Sequence, residues 1–309
     1  MEILGRTSES CSCTGVHNSS GETSLEAFAA IRTQCPALHA VFLPDEVWPD
    51  FQKWHLQPDN LAHHRSVLLL ALERGHLGRA TAAIHRYLIS AGSLRPEVRR
   101  QYLKDLRERW MHYSDPIERH KKFRIFFGRL VELQCAEWLE QQGWAISGLE
   151  ALREGPDIEA YTSDGLAAAF EVKCIGTEND DFAMVLRSLA SQPAGGSVSP
   201  YAATNYLLFR AYEAGKQLEG MTGGRIAILV VEDMTWWRFE LQLKDNWIDW
   251  ARPKFFDGGT VWENFLASQQ IRYPNLSTDL PVAIGKLDAV WILRHSYGYQ
   301  YHREFKIRI

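Results

Sequence analysis

The spacing of apolar positions divides the chain into a helical first third and a mixed remainder. Residues 24–114 repeat apolar side chains at three- and four-residue intervals, broken by glycine and proline, and this period predicts a helical N-terminal domain. Residues 1–23 are rich in serine, cysteine, threonine and glycine and have no apolar period. Because such a segment offers little apolar surface to bury, a disordered tail is predicted there.

Beyond residue 114 the pattern changes to an alternation of helix and strand. A long helix is predicted over residues 115–142, with Gly143 as its stop. Short strands are predicted at 145–147, 157–161, 166–174 and 225–231, with a helix at 202–218 before the last of them. Residues 162–165, Thr-Ser-Asp-Gly, have the composition of a hairpin turn. This order predicts an α/β fold, a mixed central sheet flanked by helices, over residues 115–235.

Residues 236–309 are predicted to be a tryptophan-rich C-terminal extension that packs on this core. Its tryptophans stand at positions 236, 237, 247, 250, 262 and 291. Those between 236 and 262 form a cluster more typical of core packing than of base stacking. A final hairpin is predicted from residues 289–294 and 300–307, so the extension is expected to complete or abut the sheet.

The composition is that of a globular protein. The chain has 309 residues, 46% of them hydrophobic and 23% charged, which suffices for one large or two modest domains. No apolar run approaches the ~20 residues of a membrane span, and the N-terminus lacks the pattern of a secretory signal. The 5 cysteines are an odd and scattered set. A cytoplasmic protein without membrane contact is therefore expected.

The net charge of −4 excludes a basic field over the whole chain. Contacts with a polyanion must then come from local patches. Two such patches exist: residues 95–124 carry ten Lys or Arg against five Asp or Glu, and residues 294–309 carry four against one.

Four side chains of the mixed region can meet on one surface. Because strand side chains alternate, Glu171 and Lys173 share one face of their strand, opposite an apolar face. A connection of odd length, such as the five residues 162–166, would set Asp157 opposite Glu171 in an antiparallel pair. On the preceding helix, Glu132 lies in a largely apolar stripe, where a carboxylate is costly without compensation.

A divalent cation shared by Glu132, Asp157 and Glu171 would provide that compensation. Hard oxygen ligands favour Mg²⁺, with Mn²⁺ as a substitute. Such an ion polarises a phosphoryl oxygen and lowers the pKa of its bound water, while Lys173 can orient that water and offset negative charge. These residues therefore point to phosphodiester hydrolysis.

Three segments carry these residues: GRLVELQCAEWLEQQGW from position 128, GPDIEA from 155 and FEVKCIG from 170. They resemble the PD-(D/E)xK nuclease superfamily, in particular its Mrr-type and Holliday-junction-resolvase-like branch, and the likeness spans residues 128–232. The resemblance implies a restriction-endonuclease-like fold and products with 5′-phosphate and 3′-hydroxyl ends. It also implies metal ligation by Asp157 and Glu171, a water-orienting role for Lys173 and a supporting acid at Glu132.

Relatives in this superfamily often place a glutamine or lysine of the next helix near the active site. Gln217 or Lys216 is the candidate accessory residue here. An acidic insertion at residues 178–200 departs from the family pattern and leaves the shape of the substrate groove open.

Simpler interpretations of each motif stay open. Glu132 could form a helix-surface ion pair with Arg129, and Glu171 with Lys173 could be ordinary surface charges. The coincidence of all four residues favours a site instead. A similar spacing recurs at Asp288, Glu304 and Lys306, but no helix and strand follow it, so we expect an edge hairpin with a solvated basic face there.

The sequence thus predicts a Mg²⁺-dependent DNA endonuclease acting in restriction, anti-phage defence or repair. The patches at 95–124 and 294–309 would hold the duplex, and RNA stays open as a substrate. The rival hypothesis is a catalytically inactive nuclease-fold module that binds nucleic acid or protein. Residues 24–114 could serve as an adaptor for a partner protein, and a homodimer is left open.

Overall fold

A computed structural model describes residues 128, 131–132, 134–150, 155–175, 201–232, 240, 243, 247–295 and 301–308. The chain divides into two units, Met1–Lys122 and Phe123–Ile309, and every described residue belongs to the second. The predictions for residues 1–23, 24–114, 95–124 and 178–200 fall outside the described residues.

A six-stranded mixed sheet forms the centre of the second unit. Its strands are β1 (Ala145–Leu149), β2 (Ile158–Tyr161), β3 (Ala167–Ile175), β4 (Gly224–Glu232), β5 (Ala289–His295) and β6 (Tyr301–Arg308). They lie side by side in chain order. The β3–β4 and β4–β5 pairs are parallel and the other three pairs are antiparallel. The predicted α/β class with a mixed sheet is therefore confirmed.

Helices cover the sheet. They are α1 (helical at 128, 131, 132 and 134–141), α2 (Tyr201–Gln217), α3 (Gly259–Gln269) and α4 (Leu276–Ile284); residues 240 and 243 are also helical. Gly143, just past α1, has φ +91°, a conformation that favours glycine and ends the helix there. Among the described residues, no helix is long and apolar enough to cross a membrane.

The β2–β3 hairpin follows the predicted register. Gly165 has φ +86°, and the Thr162 N–H donates to the Leu166 carbonyl at 3.0 Å, which closes the connection. The ladder pairs Ile158 with Phe170, so the next position sets Asp157 across from Glu171. The prediction made from the length of the turn is confirmed.

One face of the sheet packs against α2, α3 and α4. Its buried residues include Ala227 and Leu229 of β4, which lie in register with Glu171 and Lys173 of β3. Helices α2 and α4 approach closely at Gly215, where an added Cβ would lie 2.3 Å from the Ala283 carbonyl oxygen. The absence of a side chain there is what allows the two helices to touch.

Aromatic side chains fill the other face. Phe170 contacts Trp144 and Trp291 with ring centroids 5.1 and 5.5 Å apart, and Trp291 also contacts Trp138 of α1 at 6.0 Å. Helix α1 therefore lies opposite α2, and the sheet is covered on both sides.

The C-terminal residues contribute β5, β6, α3 and α4 to this structure. Trp250 and Trp262 are 5% and 2% exposed, which confirms the predicted packing role for these two tryptophans. Tryptophans 236 and 237 lie outside the described residues. The predicted hairpin is β5 paired antiparallel with β6.

Candidate active site

The candidate site lies where β1 ends and β2 begins, beside β3. The Glu150 N–H donates to the Asp157 carbonyl at 3.0 Å, which joins the residue after β1 to the residue before β2. The Val172 N–H of β3 donates to Asp157 Oδ2 at 2.7 Å. Asp157 is thus fixed by backbone groups on both neighbouring strands and is only 8% exposed.

Three carboxylates converge at this point. One carboxylate oxygen from each of Glu132, Glu150 and Asp157 lies within 4.8 Å of the other two. Asp157 is buried, whereas Glu132 and Glu150 are partly exposed, so the cluster opens towards solvent. Like charges this close repel one another unless a proton or a cation lies between them.

The electrostatics of Asp157 reflect this crowding. Burial raises the pKa of its carboxyl well above the usual value, and the charges of Glu132 and Glu171 raise it further. The Lys173 ammonium group and the hydrogen bond from Val172 act in the opposite direction. In the absence of a cation, burial and the neighbouring negative charges therefore oppose ionisation of Asp157.

Lys173 stands next to the carboxylates and is held from two sides. Its Nζ lies 2.7 Å from Glu171 Oε1, and it also donates to Gln217 Oε1 of α2. Glu171 is 3% exposed, so this is a largely buried pair and not the solvated surface pair of the simpler interpretation.

Of the two accessory candidates, the structure places Gln217 at the site and Lys216 away from it. Lys216 Nζ lies 3.2 Å from Glu219 Oε2 on the exposed side of α2, and this pairing raises the pKa of Lys216. Arg129, the alternative partner of Glu132, lies outside the described residues.

The group of carboxylates found together differs in one member from the predicted ligands Glu132, Asp157 and Glu171. Among the described residues, the three carboxylates that lie within 4.8 Å of one another are those of Glu132, Glu150 and Asp157. The Glu171 carboxylate makes the ion pair with Lys173 instead. It still lies close enough to Asp157 to raise the pKa of that residue.

The sequence interpretation missed Glu150 because it ended the first strand at residue 147. Strand β1 runs on to Leu149, with an irregular register between Ile146 and Gly148, and Leu149 pairs with Ile158. The extra residue at this bulge shifts the pairing by one position, so that Glu150 falls across from Asp157.

The second motif match near the C-terminus has a structural role at its first residue. Asp288 Oδ2 accepts a hydrogen bond of 2.8 Å from the Arg225 N–H, and its carboxylate lies 3.8 Å from Arg225 Nε. Asp288 thereby fixes the start of β4. Glu304 and Lys306 are part of β6.

The donor chemistry of the site fits a hard divalent cation. Carboxylate oxygens within 4.8 Å of one another can surround an ion bound at about 2.0–2.6 Å from each ligand. Oxygen ligands suit Mg²⁺, Mn²⁺ and Ca²⁺ alike, so the donor set alone does not select one metal.

Comparisons of this chain with models of known protein families, with curated proteins and with solved structures found no match.

Proposed function

We propose that this chain is a divalent-metal-dependent DNA endonuclease of the PD-(D/E)xK superfamily, with a restriction-endonuclease-like fold. Two features support the proposal. The order α1, three antiparallel strands, α2 and a parallel strand matches the expected core arrangement. The resemblance in sequence falls on the residues that surround Asp157 in space.

In this proposal Asp157, Glu132 and Glu150 would hold the cation, and Glu171 would contribute from β3. A cation bound there supplies polarisation of a phosphoryl oxygen and a bound water of lowered pKa. Lys173 donates hydrogen bonds to the attacking water and offsets the charge that develops on the phosphate. Gln217 keeps the Lys173 ammonium group beside the carboxylates through the hydrogen bond it accepts.

A single observation carries the proposal: three carboxylates converge at Asp157, and the Lys173 ammonium group is held beside them. Asp157 and Glu171 are 8% and 3% exposed. Burying carboxylates this deeply costs free energy that an ordinary structural role would not require, and such groups concentrate at functional sites.

The direct test is cleavage of supercoiled plasmid DNA by the full chain with Mg²⁺ or Mn²⁺. We expect Asp157→Ala and Lys173→Ala to abolish cleavage, because they remove a ligand and the water-orienting group. Lys216→Ala is the matched control, since Lys216 lies on the same helix as Gln217 but pairs with Glu219, and it should retain full activity. Cleavage that persists in both site variants would refute the proposal.

A parallel reaction with single-stranded RNA tests whether the chain also cleaves RNA.

The hypothesis of a catalytically inactive module predicts a different outcome for all of these cleavage reactions. It expects thermal stabilisation by Mn²⁺ that vanishes in Asp157→Ala, together with no cleavage of any nucleic acid by the wild-type chain.

A further inference from the structure

Helix α2 carries a second ionic cluster one turn before Gln217. Glu213 Oε2 lies 2.5 Å from Arg210 Nη1, and its other oxygen accepts a hydrogen bond of 3.1 Å from the Tyr273 hydroxyl. Arg272 Nη1 lies 3.7 Å from Glu213 Oε1. The cluster thus joins α2 to the turn between α3 and α4.

Two arginines, Arg210 and Arg272, share the Glu213 carboxylate. The Glu213 side chain is 9% exposed and that of Arg210 is 17% exposed, whereas the Arg272 side chain is 72% exposed. Of these three charged side chains, Arg272 is therefore the one that solvent and ligands can reach.

Neighbouring side chains orient the guanidinium group of Arg272 without forming a hydrogen bond to it. It lies over the Tyr273 ring, 5.1 Å from the centroid, and its 3.7 Å separation from Glu213 exceeds hydrogen-bond length. Within the described part of the chain no closer side-chain partner of Arg272 occurs. Its planar fork of N–H donors remains available for an anion, the geometry that arginine uses to bind phosphate.

Two contacts of α2 relate Arg272 to the candidate active site, since Glu213 lies near Arg272 and Gln217 binds Lys173. Glu213 and Gln217 are four residues apart on α2 and so lie on one face, separated by about one turn, or ~5.4 Å. Gln217 binds Lys173 at the exposed end of that face. A nucleic-acid strand advances about 3.4 Å per nucleotide. A strand that crosses Lys173 and runs along α2 towards Glu213 would therefore reach Arg272 within a few nucleotides.

We infer that Arg272 contacts a backbone phosphate of the DNA strand that enters the candidate active site, with Glu213 and Tyr273 as its positioning residues. This inference rests on the proposed function and adds to it a point of substrate contact on the α3–α4 turn. The alternative role of Arg272 is an exposed ion pair with Glu213. Such a pair would contribute little stability, and it would not require Arg272 to stack on the Tyr273 ring.

The experiment measures binding of a fluorescent DNA duplex by the full chain across a series of salt concentrations. All proteins carry Lys173→Ala so that no substrate is consumed. The slope of log K against log salt is negative, and each lost phosphate contact lowers its magnitude by about 0.9. Raising the salt fourfold should therefore weaken binding by Arg272→Ala about 3.5-fold less than binding by its parent.

Two further variants separate a phosphate contact from a structural role. Arg272→Lys should keep the slope, because the charge remains. Ile271→Ala changes the adjacent side chain, which is 94% exposed and uncharged, and should also keep the slope. Thermal melting of each variant checks that the fold is intact.

An Arg272→Ala slope equal to that of Ile271→Ala would overturn the inference while leaving the proposed function standing, provided that the wild-type chain cleaves plasmid. If the Lys173→Ala parent does not bind duplex DNA and the wild-type chain does not cleave it, both fail together.

Discussion

Substitution of Asp157 by asparagine should stabilise the protein while abolishing its activity. The carboxyl is 8% exposed, and its pKa is raised by burial and by Glu132 and Glu171. Ionised Asp157 is therefore a source of instability at neutral pH when no cation is bound. Asparagine removes the charge but keeps an oxygen that can accept the 2.7 Å hydrogen bond from the Val172 N–H.

The expected gain in the free energy of unfolding is about 1–2 kcal/mol at pH 7, which lies within the range of about 0.5–2 kcal/mol common for a single stabilising substitution. For a domain of this size it corresponds to a rise in Tm of about 2–8 °C. The sign follows from linkage. A carboxyl with a raised folded pKa contributes stability fully below its unfolded pKa of about 3.9, and that contribution is lost as pH rises through the folded pKa.

Thermal denaturation of wild-type and Asp157→Asn protein in EDTA, from about pH 4 to pH 8, measures this difference. The two curves should converge at the acidic end and separate towards neutral pH, with the variant more stable. Added Mn²⁺ should raise the Tm of the wild-type chain alone. If the variant is less stable than wild type at pH 7 in EDTA, the ionised Asp157 carboxylate does not destabilise the folded protein, and the reasoning is refuted.

Three further predictions concern the ligands, the proton linkage and the packing of the helices. Glu150→Gln should weaken Mn²⁺ binding about tenfold or more in calorimetric titration, since it removes a ligand; an unchanged Kd would exclude Glu150 from the site. Mn²⁺ affinity of the wild-type chain should rise with pH over the range in which Asp157 titrates, because binding displaces its proton, and a flat profile would contradict that linkage. Gly215→Ala should lower the free energy of unfolding by about 1–3 kcal/mol, because its Cβ would meet the Ala283 carbonyl at 2.3 Å. The matched control is Gly128→Ala, where nothing lies within 4 Å of the new Cβ, and it should be neutral or stabilising.

The hairpin and its site residues could be predicted because local rules determine them. A turn of fixed length and the alternation of side chains set the position of Asp157 relative to Glu171, and the observed pairing of Ile158 with Phe170 agrees. Alternation also set Glu171 and Lys173 on one face, and their 2.7 Å ion pair confirms it.

Other features of the site depend on tertiary packing, which local sequence patterns do not reveal. The shift of register in β1 decides whether Glu150 falls across from Asp157, and a bulge leaves no clear periodic signal. The choice between Lys216 and Gln217 depends on the rotation of α2 over the sheet, which is set by close packing at Gly215. Neighbouring helix positions point about 100° apart, so the pattern alone left both candidates open.

The most direct test of the account is an anomalous diffraction measurement on crystals of the full chain soaked in Mn²⁺. The account predicts an anomalous peak bound by oxygens of Asp157, Glu132 and Glu150, at about 2.0–2.6 Å from each, and the loss of that peak in Asp157→Ala. A Mn²⁺ peak elsewhere on the chain, with none at these carboxylates, would contradict it.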